Sequence, residues 1–463
     1  MKYNLSIIYF ILIEIYILNF SFSYLIFPFK THYPKINENE KNITLIFASL
    51  LDNNIYIDLV IGEPKQTIEV FLRSDTYDFY ISEKPKNNSN QSIISPYIFE
   101  VGSDLSKFYD EENSKSLEIT NESLDRYPGL DLGNLSFDYF HFIDDKSEKI
   151  SKKMPFNLYP STMRNTPAAI GLEIPLDEID KEYNFIDKLK ENNIIESYFW
   201  MINYTSEFEG NLIIGEPPHK FDPINFKEED LYQSYPFLED TMYGWGLLFD
   251  KINFGEFYFV QYHDSFFNYD INYIKGTIEL ETELENYFSK SIENGICFKK
   301  KFNFSYGPYK FFYCNKDKYK ENIKFFPKIE FYQFEFNYTF ELNYKDLFVE
   351  KDDKLILMIF FDDAVYDLIL GRPFLKKYSF LMNQDTKILE FYKKENHSDN
   401  NNNNIKNIEN NDFIYKIILI VIGLIILLIL GIFISKFYFK NTKRHKNIIE
   451  EEYDYSAKNE EIN

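Results

Sequence analysis

Cysteine occurs twice in 463 residues and histidine six times. Two thiols cannot build a disulfide-dense scaffold or a four-thiolate zinc site, and no histidine pair at metal-ligand spacing compensates. Neither a metal nor a cofactor is therefore expected. Basic charge is also short: 50 Lys and Arg stand against 73 Asp and Glu, a net charge of -23. A chain this acidic repels phosphate unless it gathers its cations in one patch, and the body of the sequence holds no such patch, which excludes nucleic acid as a partner. Glycine is scarce at 16 residues, while Asn, Lys, Ile, Phe and Tyr are in excess. That excess is read as compositional bias without functional weight. What remains, 45% hydrophobic residues, is enough for a substantial core and two or three domain-sized units.

The ends of the chain carry the two long apolar runs. Residues 1–23 open with Lys2, run largely apolar from Leu5 to Phe20 with Glu14 the one charge, and finish in Ser21-Phe22-Ser23. This reads as a secretory signal peptide; a signal anchor or buried N-terminal helix is the alternative, and Glu14 weakens the apolar run needed for either. Ile417 to Ile434 is an uncharged stretch of 18 residues. As a helix it would rise about 27 Å, nearly the thickness of the hydrocarbon layer. Lys436, Lys440, Lys443, Arg444 and Lys446 follow it, and the positive-inside rule then puts the C-terminus in the cytoplasm. A single-pass type I membrane protein is expected, its body luminal or extracellular. Residues 396–412, NHSDNNNNNIKNIENND, read as a stalk, 413–436 as the membrane helix and 437–463 as a solvated tail. Acceptor triplets for N-glycosylation stand at Asn42, Asn87, Asn90, Asn121, Asn134, Asn203, Asn303, Asn337 and Asn396, each a surface-loop hint in an Asn-rich chain.

Between these runs the pattern is mainly β. From Asn54 to Ile81 short runs rich in Ile, Val, Phe and Tyr are broken by Gly62-Glu63-Pro64, a strand, turn and strand. Similar runs recur up to Phe391, and the one helix read from apolar spacing is Phe185 to Asn193. The stretch YIDLVIGEPKQTIEVFLRSDTYDFYIS resembles the opening of the pepsin-like aspartic endopeptidases, with their I-G-x-P-x-Q turn at Ile61, Gly62, Pro64 and Gln66. Further likenesses follow in order: Ala168-Ala169-Ile170-Gly171-Leu172, the helix and strand to EGNLIIGEP, Trp245 to Glu256, and Ile369-Leu370-Gly371 with Phe374, Leu375 and Tyr378. The resemblance spans about residues 50–395, and its strength lies in the order of the motifs. It implies two β lobes around a central cleft, an N-terminal lobe at 51–222 and a C-terminal lobe at 223–395, preceded by a segment at 24–50 that is short for a zymogen's pro-segment. It also implies that Cys297 and Cys314 form the second-lobe disulfide, an expectation the oxidising lumen supports over two buried free thiols.

The family's chemistry needs two aspartates sharing one proton, one activating a water as the other protonates the peptide carbonyl. Aligning the D-T-G loops puts Arg73 where the first aspartate should stand and Asn268 where the second should. Arginine stays protonated and asparagine cannot accept and return a proton, so neither performs the task. The flap tyrosine motif has only a loose echo in Tyr127-Pro128-Gly129. Both loops do carry an aspartate two places further on, Asp75 and Asp270. These are weak candidates for a shifted carboxylate pair; the plainer account is that aspartate tolerates turns and pairs with Arg73.

The favoured reading is a membrane glycoprotein with a pepsin-like ectodomain that has lost its dyad and binds a peptide or protein in the cleft. An active aspartic endopeptidase using Asp75 and Asp270 is the second reading, and a structural or adhesion protein the third. Fold alone does not choose among them.

Overall fold

Apolar alternation becomes strand wherever it is regular. Ile55–Ile61 buries Ile55, Ile57, Leu59 and Ile61 and turns the residues between them toward a less covered side, as a period of two requires. It pairs antiparallel with Gln66–Arg73 across the expected turn. The computed structural model describes residues 24–31, 43, 54–74, 76–85, 107–123, 133–143, 149–160, 167–175, 183–233, 244–259, 263–304, 307–362 and 368–392. Met1–Lys394 forms one compact unit; Glu395–Asn463 is a second, wholly outside the described residues. The expected signal peptide, stalk, membrane helix and tail lie outside the described residues as well. Among those described, no helix is long and apolar enough to cross a membrane.

The fold is mainly β, and the described residues form sheets of thirteen, eight and four strands. The largest draws on both ends of the unit. Leu25–Thr31 lies between Glu209–Ile214 and Ile55–Ile61. Phe380–Asn383 pairs with Phe199–Tyr204, and Ile388–Tyr392 in turn carries Leu231–Gln233. Strands from beyond residue 222 thus return to the sheet that the first half begins.

One arrangement occurs twice. Gln66–Arg73 runs parallel to Ala168–Gly171, which is inserted between it and Phe79–Ser82; Phe79–Ser82 in turn runs parallel to Lys149–Tyr159. In the second half His263–Phe267 runs parallel to Leu368–Leu370, which is inserted before Ile274–Lys275, itself parallel to Lys354–Asp362. In each case a late strand separates two early ones. The loop joining those early strands, 74–78 or 268–273, is thereby pinned at the sheet end.

The expected helix is present as Phe185–Glu191, with the Asn184 side chain accepting from the backbone of Ile186 and Asp187. One correction concerns Ile278–Glu293, a 16-residue helix in a stretch read as β-rich. Thr277 caps it, and Leu280, Leu284 and Phe288 are buried at four-residue spacing. That stripe is one residue wide, so the apolar signal is thin beside the intervening Glu281, Glu283, Glu285 and Asn286, yet the spacing is helical. Cys297 and Cys314 face each other across paired strands and are bonded at 2.05 Å, as the family resemblance implied.

Candidate functional site

The two pinned loops meet. The first inserted strand ends in a glycine and the second leads into one, and a loop rests on each: a side chain at Gly171 would lie 2.3 Å from the Thr76 carbonyl oxygen, and one at Gly371 would lie 2.0 Å from that of Tyr273. Any other residue would push the loop away. The Gly171 N–H bonds to Asp78 O at 2.9 Å, and the Leu172 N–H to Arg73 O at 2.8 Å. On the other side the Asn268 N–H reaches Leu370 O, and the Arg372 N–H reaches Ile271 O, both at 3.1 Å.

Across the gap the loops exchange bonds. The Tyr269 N–H donates to Ser74 Oγ at 2.7 Å, and the Ser74 N–H donates to Asp270 Oδ2 at 3.1 Å. The same carboxylate oxygen lies 3.8 Å from Arg73 Nε, with the two side chains 37% and 17% exposed. Asn268 spends its carbonyl on the Asp270 N–H at 2.8 Å. Behind them the almost fully buried Arg372 donates from Nε to Tyr269 O at 3.2 Å, and the Trp245 indole donates to Leu172 O at 3.0 Å. Tyr204 feels both Arg372 and Asp270, and burial, the larger effect, raises its phenol far above the ordinary value.

The arrangement places the sequence candidates plainly. Arg73 and Asn268 occupy equivalent places, one at the end of its early strand and one just past it, each beside an inserted strand. Asp270 is engaged across the gap, and an oxygen that accepts an N–H and faces a guanidinium is a poor base for a water proton. Asp75 lies outside the described residues, as do Tyr127, Pro128 and Gly129. Among the described residues no group of three or more His, Cys, Asp or Glu is placed to hold a metal ion. Ser74 and Arg372 each sit inside an aligned motif, yet nothing local in the sequence marks either as a contact of these loops.

The glycosylation candidates scatter. Asn134 and Asn337 are exposed, Asn337 with a left-handed φ of 46°. Asn203 is half-buried in a strand, its amide oxygen accepting from Ser379 at 3.3 Å. Asn121 and Asn303 lie within strands, and Asn42, Asn87, Asn90 and Asn396 are outside the described residues.

No family model matches the chain, and no curated protein does. Many solved structures share its fold. One is the crystal structure of conglutin gamma, a basic 7S globulin from lupine seeds, at a TM-score of 0.54 and 10% identity, with 81% of this chain and 96% of that one covered. At that identity the likeness concerns the fold alone.

Proposed function

We propose that this chain is a type I membrane glycoprotein whose pepsin-like ectodomain lacks peptidase activity and binds a peptide or protein segment in the cleft between its lobes. One observation carries the reading. At the two loop positions where the resemblance calls for aspartates stand Arg73 and Asn268, and the nearest described carboxylate, Asp270, is held by the Ser74 N–H and faces Arg73. Peptide hydrolysis in this family shares a proton between two carboxylates, and a guanidinium at one position forbids it. The twice-used strand arrangement, the glycines at 171 and 371 and the bonds between loops support the two-lobed reading. The exposed acceptors at Asn134 and Asn337 support a glycosylated surface.

The test uses the secreted unit ending at Lys394, incubated under acidic conditions with an unfolded protein and, separately, with a random peptide library. No cleavage is expected, together with retention of a defined peptide set that Arg73→Leu alters. Pepstatin-sensitive cleavage that disappears in Asp270→Ala would establish the active reading instead. Neither cleavage nor retained peptide would leave the structural or adhesion reading.

A further inference from the structure

The two positions at which the family would place aspartates differ from its pattern in more than the loss of charge. Arg73 and Asn268 lie on either side of Asp270, whose Oδ2 is 3.8 Å from Arg73 Nε and whose backbone nitrogen is 2.8 Å from Asn268 Oδ1. Residues from the two loops therefore form one locus.

What they offer there is the reverse of what a carboxylate pair offers. A guanidinium carries five N–H donors and no acceptor. An amide could turn either end to its surroundings, but the Asp270 N–H can be met only by the oxygen, so Asn268 Oδ1 faces Asp270 and the NH2 group is turned away from it. That NH2 donates no hydrogen bond among the described residues, and Asn268 is only half-buried. Arg73 is 37% exposed and meets Asp270 at a distance longer than a hydrogen bond. A side chain so placed can trade a loose contact for a better acceptor.

The carboxylate that would repel an entering anion is already partly compensated. Asp270 Oδ2 accepts the Ser74 N–H and faces Arg73, and a second guanidinium, that of Arg372, stands behind Tyr269. A peptide carbonyl presents a single oxygen, whereas a carboxylate presents two in one plane, which suits a guanidinium and an amide donating side by side. Peptides carry such a group at the C-terminus and at every Asp or Glu.

We propose that the cleft selects its peptides by a carboxylate, which docks between Arg73 and Asn268. This rests on the reading of the cleft as a peptide site and names the ligand class for it.

The experiment passes four random decapeptide libraries over the immobilised unit ending at Lys394: free or amidated at the C-terminus, each with or without Asp and Glu. Retention is expected from carboxylate-bearing libraries and not from the amidated library that lacks Asp and Glu. Which of the two single-source libraries retains peptide tells a C-terminal from a side-chain carboxylate. The best-retained peptide should bind about tenfold more weakly once that carboxylate is made an amide. Arg73→Leu should erase this difference and Arg73→Lys should keep part of it. Asn268→Asp should weaken the acid peptide by about tenfold and spare the amide, because it sets carboxylate against carboxylate. Lys324→Met, at an exposed ion pair elsewhere, should change nothing. The comparison of acid with amide needs no variant, so a folding defect in one does not remove the test. Equal retention from the carboxylate-free library, equal binding of acid and amide, or an unchanged preference in a folded Arg73→Leu would overturn the inference and leave the cleft reading standing. No retention from any library would overturn both.

Discussion

Tyr269 donates its backbone N–H to the Ser74 hydroxyl at 2.7 Å, and Ser74 sends its own N–H to the Asp270 carboxylate at 3.1 Å. Residues 195 apart in sequence are thereby tied loop to loop. Ser74→Ala strands the N–H of a buried residue, at a cost of about 1–3 kcal/mol. Ser74→Thr keeps the hydroxyl and should recover most of it. Urea unfolding of the unit ending at Lys394 measures both, and an Ala variant as stable as the parent would show that the bond contributes nothing.

Arg73 and Asp270 are a looser pair, at 3.8 Å with Arg73 37% exposed. A double-mutant cycle with Arg73→Leu and Asp270→Asn should give a coupling below about 1 kcal/mol, since water screens such a pair. Arg73→Asp should be worse than Arg73→Leu at neutral pH, because it sets two carboxylates against each other. The gap should narrow on acidification as one of them takes a proton.

Glu390 gives the fold a pH dependence. It is 4% exposed, accepts from Gln233 Nε2 at 2.7 Å, and burial raises its pKa to about 7 from 4.5. A folded-state value above the unfolded one means that stability is fully present below about pH 4.5 and lost as pH rises through about 7. The loss should be on the order of 3 kcal/mol. Glu390→Gln keeps a hydrogen bond to Gln233 and should flatten this slope, so that the variant exceeds the parent above neutral pH. Denaturation midpoints across the acid-to-neutral range decide it; an unchanged slope would mean that the ionised form is better solvated than its burial implies.

The Cys297–Cys314 bridge closes 16 intervening residues. Replacing both cysteines by serine should lower stability by about 3 kcal/mol through the entropy returned to the unfolded chain. The same unfolding assay without reductant measures it.

The run Ile417 to Ile434 should keep the full chain on membranes through a high-pH carbonate wash, whereas the unit ending at Lys394 should be secreted. Release of the full chain by the wash, or protease access to the tail after Lys440 from outside intact cells, would overturn the proposed topology.

Much of the fold could be read in advance because its determinants are local. The alternation in Ile55–Ile61, the break at Gly62–Pro64 and the Asn184-capped helix each follow from residues within a turn or two of one another. So did the departures at Arg73 and Asn268, since a side chain's inability to carry a proton does not depend on its neighbours. The helix Ile278–Glu293 was within reach as well, through Thr277 and the spacing of Leu280, Leu284 and Phe288. What no local pattern contained was the meeting of the loops. That Asp270 is committed to Ser74 and Arg73, and that Arg372 stands behind Tyr269, both arise from strand insertions that bring distant segments together. Pairing across such separations depends on the closure of whole sheets, and only the tertiary structure decides it.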